Sequence, residues 1–168
     1  MRAKMAQEYY AAAFFASKGL DSASLRYFNV FGPRQDPNSE YAAVIPKFIT
    51  LMLAGRQPTI FGDGTQTRDF IYVENVVAAN LAAALHPERL RGAAINIACG
   101  VRTDLNQLVA GINSELGTNI NAAHAAARPG EILHSVADIS RAKALLGFAP
   151  AVALGEGLAK TIDSFRRA

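Results

Sequence analysis

The sequence predicts an α/β fold, and three observations carry that reading. Strand-like and helix-like stretches alternate along all 168 residues, the pattern of an α/β domain. Hydrophobic residues make up 51% of the chain and charged residues 18%, which suits a packed core and excludes a disordered chain. The length fits one domain, or one with a small lobe.

Residues 2–17 have helix-forming composition, with Met5, Tyr9, Ala12, Ala13 and Ala16 along one side and Gly19 as a stop. Ser24–Asn29 reads as a short buried strand, and Asn29–Glu40, with Gly32, Pro33, Pro37 and Asn38, as a loop. Tyr41–Ala54 is an apolar helix entered through Pro46 and closed by Gly55. Pro58–Phe61 and Phe70–Tyr72 are brief strands on either side of the turn Gly62-Asp63-Gly64. Val73–Leu85 is a helix ended by His86-Pro87, and Ala93–Ala98 is a strand. Thr103 or Asp104 caps a helix that runs to Leu116 and stops at Gly117. Ala122–Ala127 reads as a strand, Asp138–Leu146 as a helix capped by Asp138, and Leu154–Arg166 as the last helix.

The bulk properties exclude several functions. A net charge of +3, with arginines scattered rather than blocked, does not argue for nucleic acid. The excess suits an anionic small ligand. The single cysteine, Cys99, excludes an internal disulfide and a cysteine-only zinc site, and its apolar surroundings mark a small core residue. His86, His124 and His134 lack metal-ligand spacing. Neither a signal peptide nor a long apolar span is visible, so no membrane is expected and the cytosol is the default location. No G-x-G-x-x-G dinucleotide fingerprint occurs.

The candidates for chemistry converge on one ligand type. Arg68, in Gly62-Asp63-Gly64-Thr65-Gln66-Thr67-Arg68-Asp69-Phe70, and Arg128, in Arg128-Pro129-Gly130-Glu131, both lie on turns. Two arginines on rigid turns suit a bidentate grip on a diphosphate. The other reading makes each a turn residue paired with Asp69 or Glu131. Asn29 ends a strand, where its amide either donates to a phosphate oxygen or bonds nearby backbone.

Five stretches in register resemble the nucleotide-sugar epimerase/dehydratases, which are extended short-chain dehydrogenase/reductases. They are Arg26–Gln35, Tyr41–Phe48, Gly62–Phe70, Arg128–Glu131 and Ala137–Ala142. The wording of Asn29–Phe48 is most similar to UDP-N-acetylglucosamine 4-epimerases, and less like UDP-glucuronate decarboxylases or dTDP-glucose dehydratases.

The resemblance implies roles by position. Asn29 would bond the diphosphate. Ala42, Val44 and Phe48 would line the uracil pocket, with Thr59 and Ile60 closing its other side. Arg68 and Arg128 would clamp the phosphates, and Glu131 would bond the ribose. Lys4 would be the lysine that holds the nicotinamide ribose and lowers the pKa of a tyrosine four residues earlier. That tyrosine and the glycine-rich fingerprint lie upstream in the family, and none of the five tyrosines here has a lysine at i+4. The fold expected is therefore the C-terminal substrate-binding part of an extended Rossmann-type epimerase, lacking the N-terminal dinucleotide-binding strands. Residues 1–30 would be a residual Rossmann helix and strand, and 31–168 mostly a nucleotide-sugar lobe.

The function expected is the UDP-sugar-binding half of a UDP-hexose 4-epimerase, inactive as an isolated chain. NAD would serve the full-length family but not bind this chain tightly. The apolar stripe of the first helix implies a homo-oligomer. The alternatives are a non-catalytic binding or association module, or a fragment of the decarboxylase or dehydratase type.

Overall fold

The computed structural model describes residues 2–37 and 43–167. In chain order the elements are α1 (Arg2–Lys18), β1 (Ala23–Tyr27), β2 (Asn29–Phe31), α2 (Val44–Leu53), β3 (Thr59–Phe61), β4 (Thr67–Arg68) and β5 (Phe70–Tyr72). There follow α3 (Val73–Ala84), β6 (Ala93–Ile97), β7 (Thr103–Asp104), α4 (Leu105–Leu116), β8 (Ala123–Ala125), α5 (Ser140–Leu146) and α6 (Leu154–Arg166). Strands distant in sequence pair in parallel: β1 with β6, β2 with β5, and β3 with β8. The two-residue β4 and β7 pair antiparallel. Helices fill the crossovers between the parallel pairs, as that geometry requires.

Strand β5 divides the interior. Phe70 and Tyr72 join one core with Phe31, Phe48, Ile49 and Met52, and with Leu108 and Ile112 of α4 and Leu158 and Ile162 of α6. Ile71, between them, points the other way, into a second core with Val76, Ile95, Ile97 and Phe148. Side chains alternate across a strand, so a strand buried on both faces reads as an unbroken apolar run. Helix α6 comes close to the first core through Gly157. A Cβ there would lie 2.8 Å from Cζ of Phe31 and 3.0 Å from Cβ of Tyr72.

The helix ends follow their local chemistry. Asp104 and Gln107 form a reciprocal capping box at the start of α4, and Gly117 closes that helix in the left-handed conformation. Gly19 likewise follows α1 with φ 68°.

Three expectations need correction. Asn29–Phe31, read as loop, is the strand β2, because Val30 and Phe31 continue the apolar run and pair with Ile71 and Tyr72. Asp138 does not cap its helix in the usual position. The helix starts at Ser140, whose N–H donates to Asp138 Oδ1 at 2.8 Å. Cys99 is half-buried rather than a core residue, and burial pushes its thiol up to about 11.

Helix α1 leaves its expected stripe open. Met5, Tyr9, Ala12, Ala13 and Ala16 are all exposed, Met5 by 53% and Tyr9 by 71%. The helix meets the sheet edge along Glu8 and Ala12: the Glu8 carboxylate takes Nε of Arg26 at 2.7 Å, and the Ala12 backbone lies so close to Gly92 that a Cβ there would be 2.7 Å from its Cα.

Candidate functional site

A cavity of about 450 Å³ opens between α2, β3 and the segment that carries Arg128, a size suited to a small ligand. Helix α2 supplies Val44, Lys47 and Phe48, which share one face at helical spacing. Ile45 also touches the cavity, while Ile49 and Met52 turn into the core. Strand β3 supplies Thr59 and Phe61, and its alternation sends Ile60 inward, fully buried. Asn29, Gln66, Arg68, Phe70, Leu105, Arg128 and Glu131 complete most of the wall.

The segment bearing Arg128 is fixed at both ends. Upstream, β8 pairs with β3, and the Gly62 N–H donates to the Ala125 carbonyl at 2.8 Å. Downstream, the Thr67 N–H donates to the Leu133 carbonyl at 2.8 Å, and the Ser135 N–H to the Thr67 carbonyl at 3.1 Å. Between these anchors the Arg128 guanidinium stacks over the Phe61 ring, 3.8 Å from its centre, a cation–π contact that leaves its edge donors free for an anion.

Arg68 is held from several sides. Its Nη1 donates to the Thr67 carbonyl at 2.9 Å, and its Nη2 to Glu131 Oε1 at 3.0 Å. The sequence left two readings open for Arg68, a phosphate clamp or a partner of a nearby carboxylate. The structure shows the pair with Glu131, and it shows that pair inside the cavity wall. Lys47, Arg68 and Arg128 outnumber the one lining carboxylate, Glu131. The site therefore favours an anionic ligand.

Asp69 positions this wall and was missed as a functional residue. Its carboxylate is fully buried and accepts the N–H groups of Cys99 at 2.9 Å, Gly100 at 2.9 Å and Ala137 at 3.1 Å. Its carbonyl accepts both the Asn29 backbone N–H at 3.2 Å and Asn29 Nδ2 at 3.0 Å. Asn29 therefore lines the cavity with its amide nitrogen already engaged by backbone. One buried acid ties the ends of β2 and β6 and the segment before α5 to the strand pair carrying Arg68.

The structure gathers Asn29, Val44, Phe48, Thr59, Arg68, Arg128 and Glu131 in one cavity. Ile60 lies in the core behind it. Ala42 falls outside the described residues. Lys4 is exposed on α1 and takes no part in the cavity. Sequence reasoning missed Lys47, Phe61, Gln66, Phe70 and Leu105. Two were within reach of pattern: Lys47 is three residues from Val44 on a helix, and Phe61 is two from Thr59 on a strand.

Among the described residues no group of histidine, cysteine or acid side chains could hold a metal ion, and no helix is long and apolar enough to cross a membrane. The turn Gly62-Asp63-Gly64 is not a dinucleotide-binding turn. Gly62-Asp63-Gly64 leads into β4 rather than a helix, and Asn106 fills the space beside Gly64, 2.4 Å from where a Cβ would sit.

Comparisons with known proteins agree on one family. The sequence model described as "NAD dependent epimerase/dehydratase family" matches residues 1–98. A putative UDP-glucose 4-epimerase of Methanocaldococcus jannaschii is 39% identical over 160 residues, which are 95% of this chain and 50% of that protein. The structure of a UDP-N-acetylglucosamine 4-epimerase from Methanobrevibacter ruminantium, in complex with UDP-N-acetylmuramic acid, superposes with a TM-score of 0.88 at 45% identity. That match covers 95% of this chain and 51% of the other. The UDP-glucose 4-epimerase of Thermotoga maritima with UDP-glucose gives a TM-score of 0.88 at 39% identity, over 95% and 50% of the two chains. The chain spans about half the length of the relatives it matches.

The family match corrects the expected placement as a C-terminal substrate-binding half. The model of the NAD-dependent family begins at residue 1 and runs through β6. The matched stretch is thus an α/β piece of the NAD-binding, Rossmann-type part, not a short remnant before a separate lobe. The sequence reading set residues 1–30 apart as a residual Rossmann helix and strand, whereas β1 pairs in parallel with β6, some seventy residues away. It also treated the missing glycine fingerprint as a mark of the whole Rossmann part. Matched over residues 1–98, more than half its length, the chain belongs to the NAD dependent epimerase/dehydratase family.

Proposed function

We propose that this chain carries the UDP-sugar-binding cavity of a UDP-hexose 4-epimerase-like enzyme, with a UDP-N-acetylglucosamine-like substrate. One observation supports this above others: Arg68 and Arg128, remote in sequence, face the same cavity whose remaining walls include Val44, Phe48 and Phe61. The flat apolar part accepts a base, and the cationic part accepts a diphosphate. Relatives found in complex with UDP-N-acetylmuramic acid and UDP-glucose support the same ligand class. Glu131 would exchange its bond to Arg68 for a ribose hydroxyl as the phosphates take over the guanidinium. The cavity draws its lining from residues 29 to 131, beyond residue 98 where the family match ends, so a nucleotide-sugar-binding role for the residues after residue 30 belongs to this proposal too.

NAD would supply hydride transfer in the whole enzyme. The residues present bind and orient the nucleotide-sugar, and no proton or hydride step is assigned to them. Lys4 is proposed as the ribose-holding lysine of a Tyr–Lys pair whose tyrosine is not in residues 1–168.

A second reading has its own support. Besides Met5 and Tyr9, helix α1 exposes Tyr10 by 65% and Phe14 by 50%, and α3 exposes Val77, Leu81 and Leu85. Such an apolar surface drives association, so the chain is also proposed to form a homodimer or larger assembly.

Calorimetry with UDP tests the main reading. Arg68→Ala and Arg128→Ala should each weaken binding by roughly 1.5–3 kcal/mol, the range for hydrogen bonds to a charged group. Unchanged affinity in both variants would rule the clamp out.

A further inference from the structure

We infer that Gln66 reads the nucleobase of the bound nucleotide, its side-chain oxygen accepting the imide N–H that uracil has and cytosine lacks. This inference rests on the UDP reading above and goes beyond it by naming what selects the base.

Gln66 is 5% exposed, yet it lines the cavity. Its Nε2 donates to the Phe61 carbonyl at 2.7 Å. A carbonyl only accepts, so this bond fixes which end of the amide is nitrogen and which is oxygen. The other end, Oε1, receives no hydrogen bond from any described residue. It is also not among the side-chain oxygens sealed away from solvent without a partner, of which Gln35 Oε1 is the one found among the described residues. A nearly buried side chain with its oxygen still accessible, on a cavity wall, presents that oxygen to the cavity.

The neighbours indicate which part of the ligand it meets. Gln66 is anchored to Phe61, whose ring, with Val44 and Phe48, belongs to the apolar wall. Arg68 lies two residues on, roughly 7 Å along an extended chain. An acceptor that close to the phosphate clamp, but tied to the apolar wall, suits a planar base rather than the distal sugar. Uracil carries N3–H flanked by two carbonyls. Cytosine carries a bare N3 lone pair there, which would face the Gln66 oxygen and repel it. A site built to pair a polar group discriminates strongly against an analogue that leaves it unpaired.

The test is calorimetry with UDP, CDP and inorganic pyrophosphate. UDP and CDP share ribose and diphosphate, so their difference isolates the base. The wild-type chain should prefer UDP over CDP by about tenfold or more, equivalent to roughly 1.4 kcal/mol. Gln66→Met, close in shape but without the amide's oxygen or its donor to Phe61, should bring UDP and CDP within about twofold of each other. Equal binding of UDP and CDP by the wild type overturns the inference whatever the variant does. So does a UDP preference that survives in Gln66→Met. A loss of UDP and CDP in equal measure would assign Gln66 to the ribose or to wall structure, which also overturns it. Failure of the wild type to bind any of the three would instead overturn the nucleotide-sugar reading itself.

Discussion

Replacing Asp69 should be among the most damaging single changes in this chain. Its carboxylate is fully buried and accepts three backbone N–H groups, from Cys99, Gly100 and Ala137. Each hydrogen bond to a charged acceptor is worth roughly 1.5–3 kcal/mol. Summing all three overstates the effect, because Asp69→Ala also relieves the cost of burying a charge. Leaving three donors unpaired, that of Ala137 buried and those of Cys99 and Gly100 partly so, should cost about 3–5 kcal/mol. A domain of this kind has roughly 5–15 kcal/mol of stability in total, so the variant would be close to unfolding. Asp69→Asn keeps one oxygen. The Gly100 and Ala137 N–H groups share Oδ2, so the amide oxygen would best sit there. The new NH2 would then face the Cys99 N–H, costing about 2–3 kcal/mol. Urea unfolding followed by circular dichroism gives the order wild type, Asp69→Asn, Asp69→Ala in falling stability. If Asp69→Ala stays within about 1 kcal/mol of wild type, the argument for Asp69 as the tie between these strand ends is wrong.

Other outcomes follow from the same geometry. Gly157→Ala should destabilise the chain by about 1–3 kcal/mol through overpacking against Phe31 and Tyr72, seen as a lower thermal midpoint, whereas Gly155→Ala, with open space around it, should be mild. Cys99, its thiol pushed up to about 11 by burial, should label with a thiol reagent at pH 8 far more slowly in the folded chain than in urea. Equal rates would show an accessible, ordinary thiol. Light scattering across a dilution series should show a dimer or larger species, shifted towards monomer by Tyr9→Glu. A strict monomer at high micromolar concentration would exclude the association reading.

Much of the fold was legible because its helices carry strong local signals. Asp104 and Gly117 bracket α4 through the capping box and the left-handed stop, and both are visible in sequence. The three-residue strands were harder. Asn29–Phe31 sits beside Gly32 and Pro33, and its strand character comes from pairing with β5, forty residues on. The same limit hid the sheet: β1 has no sequence mark of its partner β6, seventy residues on. At the site, Arg68 and Arg128 stood out because arginines on glycine-bearing turns are conspicuous. Asp69 was passed over as a neighbour of Arg68, since nothing local reveals that its partners are Cys99, Gly100 and Ala137. Ile60 was assigned to the pocket with Thr59, although strand alternation sends adjacent side chains to opposite faces, and Phe61 takes that place.

Backbone amide NMR of the labelled chain, titrated with UDP, tests the central claim most directly. The account predicts chemical-shift changes concentrated on Asn29, Val44–Phe48, Thr59–Phe61, Gln66–Arg68 and Arg128–Glu131. Arg68→Ala should reduce all of these shifts together. Changes centred on the open groove between Asn106 and His124, or no changes at millimolar UDP, would contradict it.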